Sequence, residues 1–396
     1  MADNSSGHEA PTRRKYMKFG GAVLGGGLLA GCAGQSDSGS TPTETEISES
    51  TTTSTSEDDS YTVSMAPAGE ITFDSIPEKW ATYYPGYADM GVALGLSDDL
   101  TGVGQPSEYY TEFYDAVPGV SVDSDSLTAL WADGIDKEIF YELENDVHLI
   151  SPENMKRSFD WSDEDLAEIT ENVGPFIGNR IYRRSDEWHD HRYYTMYEAF
   201  EKVAQVFQKE DQYQTFKEFH DEFIADIQSQ LPAESDRPSV LLTYEASDEP
   251  ETFSPYRLDD RGTNKKQWHD LGVTDALANT SVEQLSAENR SELDFENLLT
   301  IDPEVLLIRG HEEKSASEFE ETVLASLQDH TVASELTAVQ NGRVYRGGLL
   351  WQGPVQNLFL TEQAAQQLYP DIFGEVTADE KLFDRQRVAD IINGNT

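Results

Sequence analysis

A chain of 396 residues with 37% apolar and 10% aromatic content can fill two ordinary cores, so two globular units are expected. Its 75 acidic against 28 basic residues give a formal charge of −47, which excludes nucleic acid and anionic lipid as binding surfaces. The only cysteine is Cys32, which excludes an intramolecular disulfide and a cysteine metal site. Disorder is the other reading of strong acidity, but apolar periodicity runs from about residue 61 to 393. Few lysines among dispersed Asp and Glu fit a protein kept hydrated in high salt, where screening makes the self-repulsion tolerable.

The chain opens on Thr12-Arg13-Arg14-Lys15-Tyr16-Met17-Lys18, the pattern of a twin-arginine export signal. Phe19 to Ala30 is apolar but too short and too rich in Gly to span a membrane. It ends in Leu29-Ala30-Gly31-Cys32, which resembles a lipobox. Residues 1–31 are therefore expected to be a signal peptide, with Cys32 lipid-modified. That places the chain on the outer face of the cytoplasmic membrane, held by lipid alone. Residues 32–60 are Ser, Thr and Glu-rich and are expected to be a disordered tether. Asn279-Thr280-Ser281 and Asn289-Arg290-Ser291 are glycosylation sequons, consistent with an exterior location.

Short strands and helices then alternate, which predicts an α/β fold with mainly parallel central sheets. Tyr61 to Met65 and Glu70 to Phe73 read as a hairpin. Trp80 to Tyr84 reads as a buried strand ended by Pro85, Tyr87 to Leu96 as a helix, and Thr101 to Gly104 as a strand. Glu138 to Ile150 is a helix running into a strand, and Glu296 to Ile308 has the same layout. Glu, Val, Leu and Ile fall at identical offsets in the two segments, which suggests two lobes on one plan. Glu187 to Leu231 has no Gly or Pro. Its apolar residues recur at helical spacing, including Phe200, Val203, Phe216, Phe219 and Phe223. One long connecting helix is expected there, with a break near Glu210-Asp211. The lobes are then 61–186 and 232–396.

With these elements in order, the chain resembles the solute-binding lipoproteins of ABC importers for ferric siderophores, haem and cobalamin, of a haloarchaeal type. The resemblance covers residues 61 to about 375. It rests on the Trp80–Leu96 strand-turn-helix, the paired Glu units and the long helix. Ala338–Tyr345, Trp351-Gln352-Gly353-Pro354 and Gln363–Pro370 complete it. It implies two lobes on a rigid helical spine, a ligand cleft between them, an ABC permease and its ATPase as partners, and a monomer. It also implies that Glu138 and Glu296 dock on the permease.

Loops at the carboxyl ends of parallel strands face such a cleft. The candidate ligand-binding residues are Tyr83, Tyr84, Gln105, Trp131, Tyr256, Arg257, Arg309, His311, Trp351 and Gln352. Aromatic faces suit a bulky chelate or macrocycle. Arg257 and Arg309 suit carboxylate or catecholate oxygens; a surface ion pair with Glu312 is the alternative for Arg309. An iron(III)-siderophore chelate is the leading ligand. Cobalamin and haem are the alternatives, haem calling for an axial Tyr or His such as Tyr83, Tyr84 or His311. No cofactor is expected. A surface hydrolase is the rival of another class, but no nucleophile triad, zinc-binding His pair or phosphate loop stands at a recognisable spacing. Free zinc or manganese capture calls for converging histidines, and His189-Asp190-His191 is the one close group.

Overall fold

Gly69 adopts a left-handed φ of +83° and turns β1 (Tyr61–Met65) back onto β2 (Gly69–Phe73) as an antiparallel hairpin. The computed structural model describes residues 60–184, 188–283, 292–377 and 380–395, all within the unit Glu57–Thr396. Arg13, Arg14, Cys32, the leader, the tether up to residue 59 and Asn289 lie outside the described residues. Among the described residues no helix is long and apolar enough to cross a membrane.

The first lobe continues with β3 (Trp80–Thr82), α1 (Pro85–Ala93), β4 (Leu100–Val103), β5 (Thr128–Ala129), α2 (Lys137–Leu143) and β6 (Val147–Leu149). Helices α3 (Pro152–Phe159) and α4 (Asp163–Asn172) follow. The strands form a parallel sheet in the order β5-β4-β3-β6. β3 is shorter than the expected Trp80–Tyr84, because Tyr84 is already the N-cap of α1 and Pro85 its first residue, where a missing N–H costs nothing. Gly91 lets α1 lie on the Trp80 indole. A Cβ there would stand 2.3 Å from the ring.

The connection between lobes starts later than the expected 187 and is interrupted just before the expected break near Glu210-Asp211. It is two helices, α5 (Met196–Val206) and α6 (Glu210–Gln230). Phe207 ends α5 and Gln208 takes φ +50°. The Lys209 amide donates to Ala204 O at 2.8 Å and the Gln208 amide to Gln205 O at 3.4 Å, the bonding of a Schellman ending. Such an ending usually advertises itself by Gly, and here the residue is Gln. Phe200 of α5 then packs on Tyr213 and Phe216 of α6 at ring separations of 5.2 and 5.9 Å. The long connecting helix is α6 alone, about 32 Å at 1.5 Å per residue.

The second lobe holds β7 (Ser239–Tyr244), β8 (Thr252–Tyr256), α7 (Lys266–Asp270), β9 (Thr274–Asp275), β10 (Leu293–Asp294), α8 (Phe295–Ile301) and β11 (Val305–Arg309). Then come α9 (Ala316–Phe319), α10 (Ala325–Asp329), α11 (Thr337–Gln340), β12 (Val344–Arg346), α12 (Pro354–Leu368), α13 (Pro370–Phe373) and α14 (Arg385–Ile392). The sheet order is β10-β8-β7-β11-β12, with β9 also on β7. β7, β9, β11 and β12 pair in parallel, and β8 and β10 run antiparallel at the edge.

The two Glu-bearing units match in detail. Asp136 caps α2 and Asp294 caps α8 through their side chains. Glu144 and Asp302 end those helices in the left-handed region at φ +51° and +43°. Asp146 then accepts the Glu78 and Lys79 amides, and Glu304 accepts the Ser239 amide. In both lobes a carboxylate after the helix thus fixes the entry of the neighbouring strand.

One apolar core runs through both lobes. It takes Trp80 and Val147 from the first sheet, the inner faces of α5 and α6, and Val240, Leu242, Val305 and Leu307 from the second. The alternate residues Leu241, Leu306 and Ile308 face a separate core, as the strand period of two requires. At the seam, α12 of the second half lies on α1 of the first. Asp89, fully buried in α1, accepts the Val355 amide at 2.7 Å, the Gln356 amide at 3.3 Å and the Tyr114 hydroxyl at 2.7 Å. A carboxylate from one lobe thus caps the helix N-terminus of the other, where free N–H groups and the helix dipole favour negative charge. Backbones meet beside it. A Cβ on Gly353 would stand 2.5 Å from Asp89 Oδ2 and from Gly86 O.

Burial pushes the Asp89 carboxyl up to about 7, against the pull of its hydrogen bonds to Tyr114, Val355 and Gln356. Below about pH 4 folded and unfolded chains both hold this proton. Between about pH 4 and 7 the folded chain alone holds it, so stability falls as pH rises through that window. Asp89→Asn keeps an acceptor and removes the ionisation. Denaturant melts at pH 4 and pH 8 should show the variant gaining on wild type across the interval, by a difference on the order of 4 kcal/mol. Parallel pH profiles would mean that Asp89 does not titrate there.

Candidate ligand-binding cleft

The carboxyl ends of the parallel strands in both lobes open on one cavity of about 540 Å³, within the usual range for a small-molecule site. The first lobe contributes Glu108 and Tyr110 from the turn after β4, and the crossing segment contributes Arg183. The second contributes Tyr244 at the end of β7, Tyr256 at the end of β8, Arg309 at the end of β11, and Gly310, Glu312 and Glu313 after it. Leu349, Leu350 and Trp351, after β12, complete it.

Arg309 is the deepest charged group, 1% exposed. Its Nε donates to Gly348 O at 3.1 Å and its Nη2 to Asn264 O, which orients the guanidinium. Nη1 makes no hydrogen bond of acceptable geometry, and neither does the buried Trp351 Nε1. The guanidinium carbon stands 5.1 Å from the Tyr256 ring centre, and Lys265 Nζ stands 5.8 Å from it. Lys265 is fully buried and paired with Asp260. Burial pulls the lysine down and pushes the Tyr256 phenol up, while Arg309 opposes the rise in Tyr256. The expected alternative for Arg309, a surface ion pair with Glu312, does not form. The Glu312 carboxylate accepts the Gly310 amide at 3.0 and 3.1 Å instead.

The other expected residues divide into neighbours and absentees. Tyr84 stands one layer behind the wall, its ring 5.7 Å from Trp351 and its hydroxyl on Asn154. Tyr83 packs on Tyr84 and Phe159, and Trp131 packs on the other side of Phe159. Gln105 is the N-cap of the short turn that carries Glu108. Three expected residues, Arg257, His311 and Gln352, do not line the cavity. Arg257 faces away from the cavity, pairing with Asp275 at 3.2 Å and donating to Val282 O. His311 is buried against Phe319, 1% exposed. Gln352 is buried in a chain of amides, donating to Gln267 and accepting from Asn357. His189 lies in a stack with Trp188, His191 and Tyr193, away from the cavity lining.

Sequence reasoning missed Glu108, Tyr110, Arg183, Glu312, Glu313, Leu349 and Leu350. A signal existed for one of them. Arg180, Arg183 and Arg184 put three arginines into five residues of a chain with 28 basic residues in all. Arg180 lies over Tyr182 and Trp188 at 4.9 and 5.1 Å, and Arg183 lies over Tyr182 at 5.5 Å, so this strap is a cation-aromatic layer beside the cleft.

Replacing Arg309 with Ala strands the buried carbonyl of Asn264 and the half-buried carbonyl of Gly348. The variant should lose roughly 1–3 kcal/mol of stability in urea melts, the cost of buried polar groups left unmade. A melt indistinguishable from wild type would show that the guanidinium does not tie these loops together.

A family model described as a periplasmic binding protein matches residues 177–348, from the arginine strap through β12. No curated protein matches the chain. Several solved structures resemble it. A periplasmic binding protein from Veillonella parvula has a TM-score of 0.57 at 13% identity, over 78% of this chain and 97% of that one. The petrobactin-binding protein YclQ from Bacillus subtilis has a TM-score of 0.55 at 17% identity, over 78% and 99%. The iron uptake ABC transporter substrate-binding protein PiuA from Streptococcus pneumoniae has 0.54 at 16% identity, over 78% and 97%. At these identities the likeness is one of fold, and the fold of this chain is that of the periplasmic binding proteins.

Proposed function

We propose that this chain is the extracytoplasmic solute-binding protein of an ABC importer, and that it captures an iron(III)-siderophore-type chelate for delivery to the permease. The observation that carries the reading is the cavity between the lobes. It joins the aromatic walls Tyr110, Tyr244, Tyr256 and Trp351 to the oriented guanidinium of Arg309. Flat faces suit a bulky chelate, and an oriented guanidinium suits its oxygens. The solved structures with this fold include a petrobactin-binding protein and an iron-uptake substrate-binding protein. Haem loses His311, Tyr83 and Tyr84 as axial candidates, since none lines the cavity. Export through the twin-arginine leader, a lipid on Cys32, attachment at the outer face of the membrane and a monomeric state belong to the same reading.

Docking follows from the paired units. Glu138 and Glu296 are exposed at equivalent places on α2 and α8, on different elements from those that line the cleft. Two matched anions suit a permease dimer with basic sockets, and such pairs set orientation more than raw affinity. Lys137, the residue beside Glu138, is held by Asp165 and Glu168 of α4, which keeps the end of α2 in place.

The double variant Glu138→Arg with Glu296→Arg should abolish uptake of a radioiron chelate by cells. Its binding of the same chelate in solution, followed by tryptophan fluorescence, should match wild type. Uptake that persists would remove the docking assignment. A wild-type protein that binds no ferric chelate would contradict the proposed function itself.

A further inference from the structure

The charges lining the cleft are sorted by depth. Arg309 is at the floor, buried. Glu108 and Glu312 are half-buried above it, and Glu313 is exposed beside Tyr244, itself 43% exposed. The carboxylates come from both walls, Glu108 from the first lobe and Glu312 and Glu313 from the second. They are close enough to affect one another. Burial, and then the Glu312 charge, push the Glu108 carboxyl up. Tyr110 and Tyr244 in the same walls are pushed up by burial and by these glutamates. Counting the lining, Glu108, Glu312 and Glu313 face Arg183 and Arg309, an excess of one negative charge. The neighbouring hollow adds Glu112 and Glu318 against Lys314 and Arg346 and leaves the excess unchanged. Asp260 and Lys265 beneath the floor cancel.

Such a cleft attracts a small patch of anionic oxygen at its floor and repels a ligand that is anionic all round. A trianion would bring three more negative charges between partly desolvated carboxylates, where salt screens least. Like charges set against each other at an interface discriminate between ligands as effectively as attraction does. We infer that the ligand is a ferric chelate of net neutral or positive charge, a hydroxamate type with an ammonium or amide-rich rim, and that ferric tris-catecholates are turned away at the mouth. Its hydroxamate oxygens meet Arg309, and its ammonium or N–H groups meet Glu108 and Glu312. This rests on the reading of the cleft as a ferric-chelate site, and it puts hydroxamate oxygens on Arg309 in place of the expected carboxylate or catecholate.

The test uses the purified chain and three ferric probes of similar bulk at one salt concentration. They are a linear trihydroxamate with a terminal ammonium, a neutral cyclic trihydroxamate and a trianionic tris-catecholate. Quenching of tryptophan fluorescence reads their affinities. The cationic and neutral probes should bind at least roughly ten-fold more tightly than the trianion. The isosteric pair Glu108→Gln with Glu312→Gln should narrow that gap by relieving the trianion. Tightest binding by the tris-catecholate, with the gap unmoved by the Gln pair, overturns the charge inference and leaves the ferric-chelate reading standing. Binding of none of the three probes overturns that reading and the inference with it.

Discussion

The Asp89 carboxylate is the interaction on which the arrangement of the lobes depends. It belongs to the first lobe and caps α12 of the second half, with Gly86 and Gly353 allowing the backbones to touch beside it. Among the described residues no cation is paired with it, so the amides of Val355 and Gln356 and the Tyr114 hydroxyl are its only direct compensation. A buried acid held in this way ties two elements more than 260 residues apart in sequence. Trp351, on the cleft wall, lies three residues before the Pro354 that opens α12. The position of that wall relative to the first lobe is therefore set by the seam.

The seam is supported by a core shared across both lobes and by ties among helices. Gln212 at the start of α6 donates to Ile391 O and Ile392 O at the end of α14, and more weakly to Ala93 O at the end of α1. Glu362 of α12 holds Arg385 of α14. These contacts join the connecting helix, the seam helices and the C-terminus into one body. A frame of this kind favours walls held at a fixed separation, which would leave little ordering for binding to oppose. The surface can then be strongly acidic without softening the site, because the charges lie outside the shared core.

Much of this was legible in the sequence, and the losses have physical causes. The matched Glu units were readable because Glu, Val, Leu and Ile stand at identical offsets in the two segments, as a helix running into a buried strand requires. The structure adds matched caps at Asp136 and Asp294 and matched left-handed endings at Glu144 and Asp302, which that pattern did not record. The break falls where it was expected, just before Glu210, although its left-handed residue is Gln208 rather than Gly. At the site, Tyr256 and Arg257 were both expected to face the ligand, although adjacent residues at a strand end point to opposite faces. His311 and Gln352 sit next to lining residues, but their burial comes from packing that no local pattern records. Glu108, Tyr110 and Arg183 reach the cleft along irregular segments, which periodicity does not place.

If the seam holds the lobes at a fixed separation, the cleft is formed before any ligand enters it. Small-angle X-ray scattering of the chain, alone and saturated with a ferric chelate that it binds, tests this directly. The account predicts the same radius of gyration and the same distance distribution within error in both states. A clear contraction on ligand binding would mean that the lobes hinge shut, and it would contradict the rigid seam.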